Sequence, residues 1–389
     1  MEIQLGAEPA IVACTPDLTR QVLVDDRTFD KGGPLFERGM EIAGDNLVTC
    51  PHSTHRAKRR AAQPAFHHSR MPEYARVMSR QVVARTDTWR DGQVIGVLAE
   101  TMILSSETLI RTLLADSLQP GEIRALHDDL AVILSNLLRQ VILPPVVRRL
   151  PGSGHGRFRA ASAHARRTIA EAIARPSSGD RGALLAALAS GGPARGDAEL
   201  NNMLVAFFLA GTETTATTLA WCLYLVDNHK AAGARLRAEA ETVLAGRAPS
   251  FDDLPNLRYT QRFLTEVLRL YPPTWLLTRR TSKPTTLANH PIPSGTTIVC
   301  SPYLIHHRPD LYPAPERFDP DRPTPERDTY LPFGDGARRC IGDRFGTAEL
   351  VLALSGICAG WTLETVRPPT TKVSMIIRPH GLRMRVHAL

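Results

Sequence analysis

The chain has 389 residues, 43% hydrophobic and 22% charged, which are the proportions of a folded globular protein and exclude bulk disorder. A net charge of +8 suits acidic partners, but the basic residues are scattered and no nucleic-acid-binding signature accompanies them, so DNA and RNA are not expected partners. Six cysteines without a close pair exclude a zinc ribbon and a disulfide scaffold, and fit a reducing compartment.

Taken in chain order, the first fifteen residues read as a strand hairpin, with Gly6 to Pro9 as the turn and Ala10 to Thr15 as the second strand. No basic segment followed by an apolar core marks a signal peptide at the start. Helical periodicity dominates from about Pro16 to Pro145, with one clear helix from Pro72 to about Arg90, stopped by Asp91-Gly92. Pro151 to Gly156 reads as a loop, and Arg175 to Gly196 is rich in Gly, Ser, Pro and Ala. Asp197 is placed to cap a long helix reaching about Asn228. Within it the longest apolar run, Met203 to Ala210, is far short of the ~20 residues that span a bilayer, so no membrane is expected and the location expected is cytoplasmic. A further helix covers about Asn256 to Leu270 and ends at Pro272-Pro273. A strand follows near Thr296 to Ser301. The stretch from Pro309 to Pro332 carries almost no regular signal, and loops of this length in a compact domain are usually functional. A helix is expected from Gly342, and short strands around Met375 and Met384.

Three segments carry chemistry. In Phe333-Gly334-Asp335-Gly336-Ala337-Arg338-Arg339-Cys340-Ile341-Gly342 a cysteine lies between glycines and ahead of a helix. Glycines let the backbone turn around the sulfur, and a helix N-terminus favours the thiolate that binds a metal; a buried structural cysteine is the plainer alternative. In Glu266-Val267-Leu268-Arg269 the i, i+3 spacing puts opposite charges on one helix face. In Ala210-Gly211-Thr212-Glu213-Thr214-Thr215 a glycine and a threonine run interrupt good helix material, which also suits a kinked core helix.

Together these segments resemble the cytochrome P450 family, from about His52 to the C-terminus. The first matches F-x-x-G-x-R-x-C-x-G at every fixed position; Gly346 stands where the family often has Ala. The resemblance implies a mainly α fold with small β-sheets: a triangular helical body, one domain over residues 1–389, with haem b (iron protoporphyrin IX) between the long central helix and the cysteine loop. The family's usual N-terminal segment is not seen ahead of the opening strand. Cys340 is implied as the iron ligand and Gly342 as part of its loop, with Phe333 packing near the thiolate. His55, Arg59, Arg280, His306 and Arg338 are implied as cofactor-binding, chiefly as cationic partners for the buried propionates. Ala210 and Gly211 would leave room for oxygen, and Glu213 and Thr214 would relay protons. Glu266 and Arg269 would form a buried structural cluster with Arg317 of Pro315-Glu316-Arg317-Phe318.

The implied activity is O2-dependent monooxygenation, hydroxylation or epoxidation, of a hydrophobic small molecule in secondary metabolism. Electrons would come from a ferredoxin and its reductase docking where Arg338, Arg339 and Arg344 cluster, to a chain expected to be a monomer. Oxidative coupling or a peroxide-driven oxidation is the alternative, and a haem protein that only binds or senses is a third reading. The implied pocket draws on residues 35–48, 204–210, 274–278 and 374–377, with Phe207, Phe208, Trp275, Leu276 and Met375 as apolar lining. The run Leu270-Tyr271-Pro272-Pro273-Thr274-Trp275 is similar to actinobacterial enzymes that hydroxylate terpenes such as pentalenene.

Overall fold

The computed structural model describes residues 1–5, 8–114, 117–143, 150, 152–175, 186, 188 and 197–389. Helices dominate: α1 (Pro16–Val24), α2 (Pro34–Ala43), α3 (His52–Ala62), α4 (Met71–Thr86), α5 (Val97–Leu114), α6 (Pro120–Ile142), α7 (His155–Ala174), α8 (Asp197–Asn228), α9 (Lys230–Leu244), α10 (Arg258–Leu270), α11 (Pro302–His306) and α12 (Asp343–Gly360). Pro151, where the expected loop begins, and most of the Gly-, Ser-, Pro- and Ala-rich stretch 175–196 lie outside the described residues.

The long helix α8 is central and packs against α5, α7, α9, α10 and α12. By length and composition its apolar stretch could cross a membrane, but 78% of that window is buried in the fold, as for a core helix. Helix α12 is buried almost continuously from Ala348 to Cys358 because it is apolar on all sides. Helix α10 starts at Arg258 rather than Asn256: the Glu239 carboxylate accepts the N–H groups of Tyr259 and Thr260 at 2.6 and 2.8 Å and caps the first turn there. Helix α4 ends at Thr86, short of the expected Arg90, because Trp89 turns inward and its indole N–H donates to Glu100 at 2.8 Å.

The small sheets tie distant segments together. β1 (Glu2–Leu5) and β2 (Glu8–Ala13) form the expected hairpin; β2 runs parallel to β8 (Thr297–Cys300), which pairs antiparallel with β5 (Leu277–Thr281), and β3 (Phe29–Asp30) closes the edge. The first thirty residues therefore stand beside residues 277–300. β4 (Val94–Gly96), β12 (Arg383–Ala388) and β9 (Trp361–Arg367), the last not read from the sequence, make a second sheet. β6 (Thr285–Leu287) pairs with β7 (His290–Ile292), and β10 (Thr370–Val373) with β11 (Ile377–His380).

Candidate active site

The cysteine loop is shaped by its glycines. Gly334 and Gly336 have φ of +68° and +70°, the left-handed region that a side chain resists. A Cβ on Gly336 would run into the Leu23 carbonyl at the end of α1, so only glycine lets the loop close on that helix. The Cys340 N–H donates to the Phe333 carbonyl at 2.9 Å, which bends the chain around the sulfur. Burial pushes the Cys340 thiol up, and the Gly342 backbone, with Arg59 and Arg339, acts against it. Yet Cys340 stays solvent-accessible. A residue enclosed by protein but still accessible lines a recess.

In the layout implied by the resemblance, α8 would supply the opposite wall. Ala210 is exposed and Gly211 and Thr214 half-buried in a helix otherwise largely covered. Phe207, Gly211 and Thr214 stand at i, i+4 and i+7, on one face. The helix runs unbroken through this segment, and the Thr214 hydroxyl donates to the Ala210 carbonyl at 2.7 Å within it. Phe66 links the two walls, packing edge-on to Phe207 with centroids 5.2 Å apart and lying 3.7 Å from where a Cβ on Gly342 would stand. A Cβ on Gly346 would make ordinary contact with Thr215 at 3.9 Å, so the alanine usual in the resembled family would fit there too.

A crowd of cations flanks the recess. Arg338 lies with its side chain 1% exposed; Nε reaches Asp26 at 3.3 Å, Nη2 donates to Asp30 at 2.8 Å and Nη1 to the Cys50 carbonyl at 2.7 Å. Three of its five N–H donors are thus directed into the protein. Arg338 is therefore no part of an exposed docking patch; Arg344 is exposed there, and Arg339 is partly exposed and paired with Asp343 at 3.1 Å. Arg59 donates to the Arg339 carbonyl. His55 is 4% exposed, and burial with the nearby Arg338, Lys31 and Arg59 lowers its pKa to about 4. Burial, Arg279 and Arg338 lower Lys31 to about 7.

Arg279 corrects the expectation for Arg280. Arg279 is buried with its Nε unpartnered, facing the same charges, while Arg280 turns outward over Gly32 and donates to the Gly295 carbonyl at 3.0 Å. Leu276 is corrected with it: it packs against Ala10, Val12 and Val299 of the sheet, whereas Leu277 reaches Gly334 of the cysteine loop. Both differences are a one-residue register along β5 and the residue before it, where successive side chains alternate between faces. Cations that repress one another's charge, with Asp26 and Asp30 offsetting them only in part and one guanidinium nitrogen unpartnered, fit an anionic guest. The two propionates of haem b would meet that requirement; Arg279, Lys31, His55 and Arg338 are the residues that would hold them, and Cys340 is the residue that would ligate the iron.

Glu266 and Arg269 form a buried pair, 4% and 1% exposed, with Nε–Oε2 at 2.7 Å and Nη2–Oε1 at 2.8 Å. The third member is Arg322, not Arg317: Arg322 Nε donates to Glu266 Oε1 at 3.0 Å, while Arg317 is exposed and contributes only its carbonyl, to Arg269 and Arg322. His306 also belongs here rather than with the cofactor. Its ring is fully buried, Nε2 accepts the Leu331 N–H at 2.8 Å, and Nδ1 therefore carries the proton it donates to the Arg269 carbonyl at 3.1 Å. Burial lowers its pKa to about 3. His306 thus staples the long loop that leads to Cys340.

Of the expected lining, Phe208 points away: it is fully buried against Leu130, Ile133, Ala165 and Ile169, because one helical step turns it about 100° from Phe207. Trp275 donates its indole N–H to the Ser374 carbonyl at 2.8 Å, beside the half-buried Met375. Glu213 is 5% exposed and ion-paired with Arg378 at 3.4 Å, a partner the sequence reading missed; burial raises its pKa and Arg378 opposes that.

Comparison with known proteins identifies the family. The family model "Cytochrome P450" matches residues 1–383. The chain is 38% identical to "Cyclooctatin synthase" of Streptomyces melanosporofaciens, over 96% of this chain and 84% of that protein. It is 37% identical to "Pentalenene oxygenase" of Streptomyces avermitilis, over 100% of this chain and 90% of that protein. The crystal structure of the cytochrome P450DA heme domain superposes with a TM-score of 0.90 at 24% identity, covering 100% of this chain and 89% of that one, and so shares the fold. The chain belongs to the cytochrome P450 family and is a haem-thiolate monooxygenase that uses haem b and O2.

Proposed function

We propose that this P450 acts as a single-domain, monomeric, cytoplasmic enzyme that hydroxylates or epoxidises a terpene in secondary metabolism, with electrons from a ferredoxin and its reductase. The observation that carries the substrate class is near-full-length identity of 37–38% to two proteins whose names specify cyclooctatin and pentalenene. The apolar side chains expected at the pocket support it: Phe207, Trp275 and Met375 offer burial and few polar handles. The net charge of +8, with Arg344 exposed beside the cysteine loop, suits an acidic electron donor.

When bound, haem supplies O2 activation. The protein's share is placement. Cys340 holds the iron, and the glycine-shaped loop keeps the sulfur at the recess. Ala210 and Gly211 leave space beside Thr214. The Thr214 hydroxyl and the Glu213 carboxyl hold and pass protons through water towards that space, an acid–base role typically worth ~10²–10⁴-fold in rate. Apolar lining excludes bulk water and orients a substrate without polar groups.

The test is a screen of cyclic terpene hydrocarbons and their alcohols for the Soret shift that follows displacement of water from the haem, then turnover with a ferredoxin and its reductase. Terpenes should bind, and Thr214→Ala should keep that binding while most reducing equivalents leave as hydrogen peroxide. Binding confined to polar compounds would reject the substrate class. Unchanged coupling in Thr214→Ala would reject the relay.

A further inference from the structure

Glu213 sits on α8, but its partner comes from elsewhere in the chain. Arg378 lies on β11, in a hairpin whose outer strand β10 is exposed along its length and, among the described residues, pairs with β11 alone. The guanidinium of Arg378 is tied at two ends: Nη1 lies 3.4 Å from Glu213 Oε1, and Nη2 donates to the Ser374 hydroxyl at 2.9 Å. Its Nε is buried without a partner. The hairpin is anchored by two further bonds, from the Trp275 indole to the Ser374 carbonyl at 2.8 Å and from the Trp221 indole of α8 to the Ile377 carbonyl at 3.2 Å. The segment between Ser374 and Ile377 is the one expected to face the substrate. Arg378 thus joins the acid side chain to the pocket hairpin through Ser374.

We propose that Arg378 is a positioning residue for Glu213: it fixes the carboxylate beside Thr214 and ties its charge to the pocket hairpin, so that a ligand displacing Ser374 and Met375 changes the proton held on Glu213. This rests on the reading of Glu213 as a proton donor, but the pairing itself does not. The electrostatics are simple. Burial favours the neutral acid and Arg378 favours the carboxylate; among the described residues no other charged side chain is paired with Glu213. Loss of Arg378 leaves burial alone, and the carboxyl keeps its proton to higher pH.

The experiment is an infrared pH titration of the ferric holoprotein. The carboxylic C=O band of Glu213 is identified by its disappearance in Glu213→Gln. In Arg378→Gln its deprotonation midpoint should rise by at least one pH unit, a tenfold change in acid constant, and Arg378→Lys should recover most of it. An unmoved midpoint in Arg378→Gln overturns the proposal. Should that variant yield too little holoprotein, Ser374→Ala frees the other end of the guanidinium; a smaller rise is expected, and no rise overturns it equally. Coupling of Glu213→Gln is measured in parallel. If it stays intact, Glu213 is not the proton donor, whereas the midpoint still reports on Arg378.

Discussion

Replacing Arg322 by alanine should harm this protein far more than replacing Arg317, although the resemblance in sequence points to Arg317. Arg322 is largely buried and donates to four oxygens: Glu266 Oε1 at 3.0 Å and the carbonyls of Pro313, Ala314 and Arg317 at 2.6, 2.8 and 3.0 Å. Removing one partner of a buried ion pair costs ~3–5 kcal/mol, and because Arg269 remains on Glu266 the low end, about 3 kcal/mol, applies. At ~2 °C per kcal/mol for a large domain, Tm should fall by ~6 °C. Arg317→Ala keeps the carbonyl that does the bonding and should change stability by less than ~0.5 kcal/mol. Thermal melts followed by circular dichroism, with the haem Soret band recorded alongside, read both quantities. Because the cluster braces the loop leading to Cys340, Arg322→Ala should also lose haem at a lower temperature. Equal or greater damage from Arg317→Ala would refute the assignment.

Arg279→Ala should speed haem loss by ~10–100-fold, the worth of one charge-assisted hydrogen bond of ~1.5–3 kcal/mol, while Arg280→Ala should leave it within about twofold; transfer of haem to an acceptor apoprotein measures both. Glu349, on α12 beside Ser105, is buried with neither oxygen in a completed hydrogen bond, and burial raises its pKa from 4.5 to about 8. Its folded form therefore holds a proton that the unfolded chain releases. The resulting stability is full below pH ~4.5 and declines as pH rises to ~8, a span of at most ~5 kcal/mol. Glu349→Gln should flatten the fall of Tm across that window, and an unchanged slope would show that Glu349 does not carry it.

Motifs with several fixed positions were legible because each residue type answers a separate physical demand. The cysteine loop needs glycine at 336 because α1 lies against it, and arginine at 338 because two carboxylates face it. The Glu266–Arg269 pair was legible because i, i+3 spacing on a helix fixes the partner. Single residues placed by a looser match fared worse. Arg280 in β5 and Leu276 just ahead of it were each one position off, where alternation sends neighbours to opposite faces and nothing in an isolated sequence sets the register. Phe208 looked equivalent to Phe207 because both are large and apolar, but one helical step separates recess from core. His306 ends α11 and Arg317 lies in the irregular stretch after it, whose course is set by long-range hydrogen bonds rather than local propensity. Arg378 carried no local signal at all: its partner is 165 positions away, and only the folded hairpin brings them together.

The central claim is that Cys340 binds haem iron as a thiolate, and the absorption spectrum of the reduced, carbon monoxide-treated protein tests it most directly. The wild-type chain should show the red-shifted Soret band of thiolate-ligated haem. Cys340→His should lose that band and the monooxygenase activity even if it retains haem, while Cys50→Ala, at another cysteine near the cation cluster, should keep the band. A wild-type protein without the red-shifted band, or a Cys340→His variant that keeps it, would contradict the account.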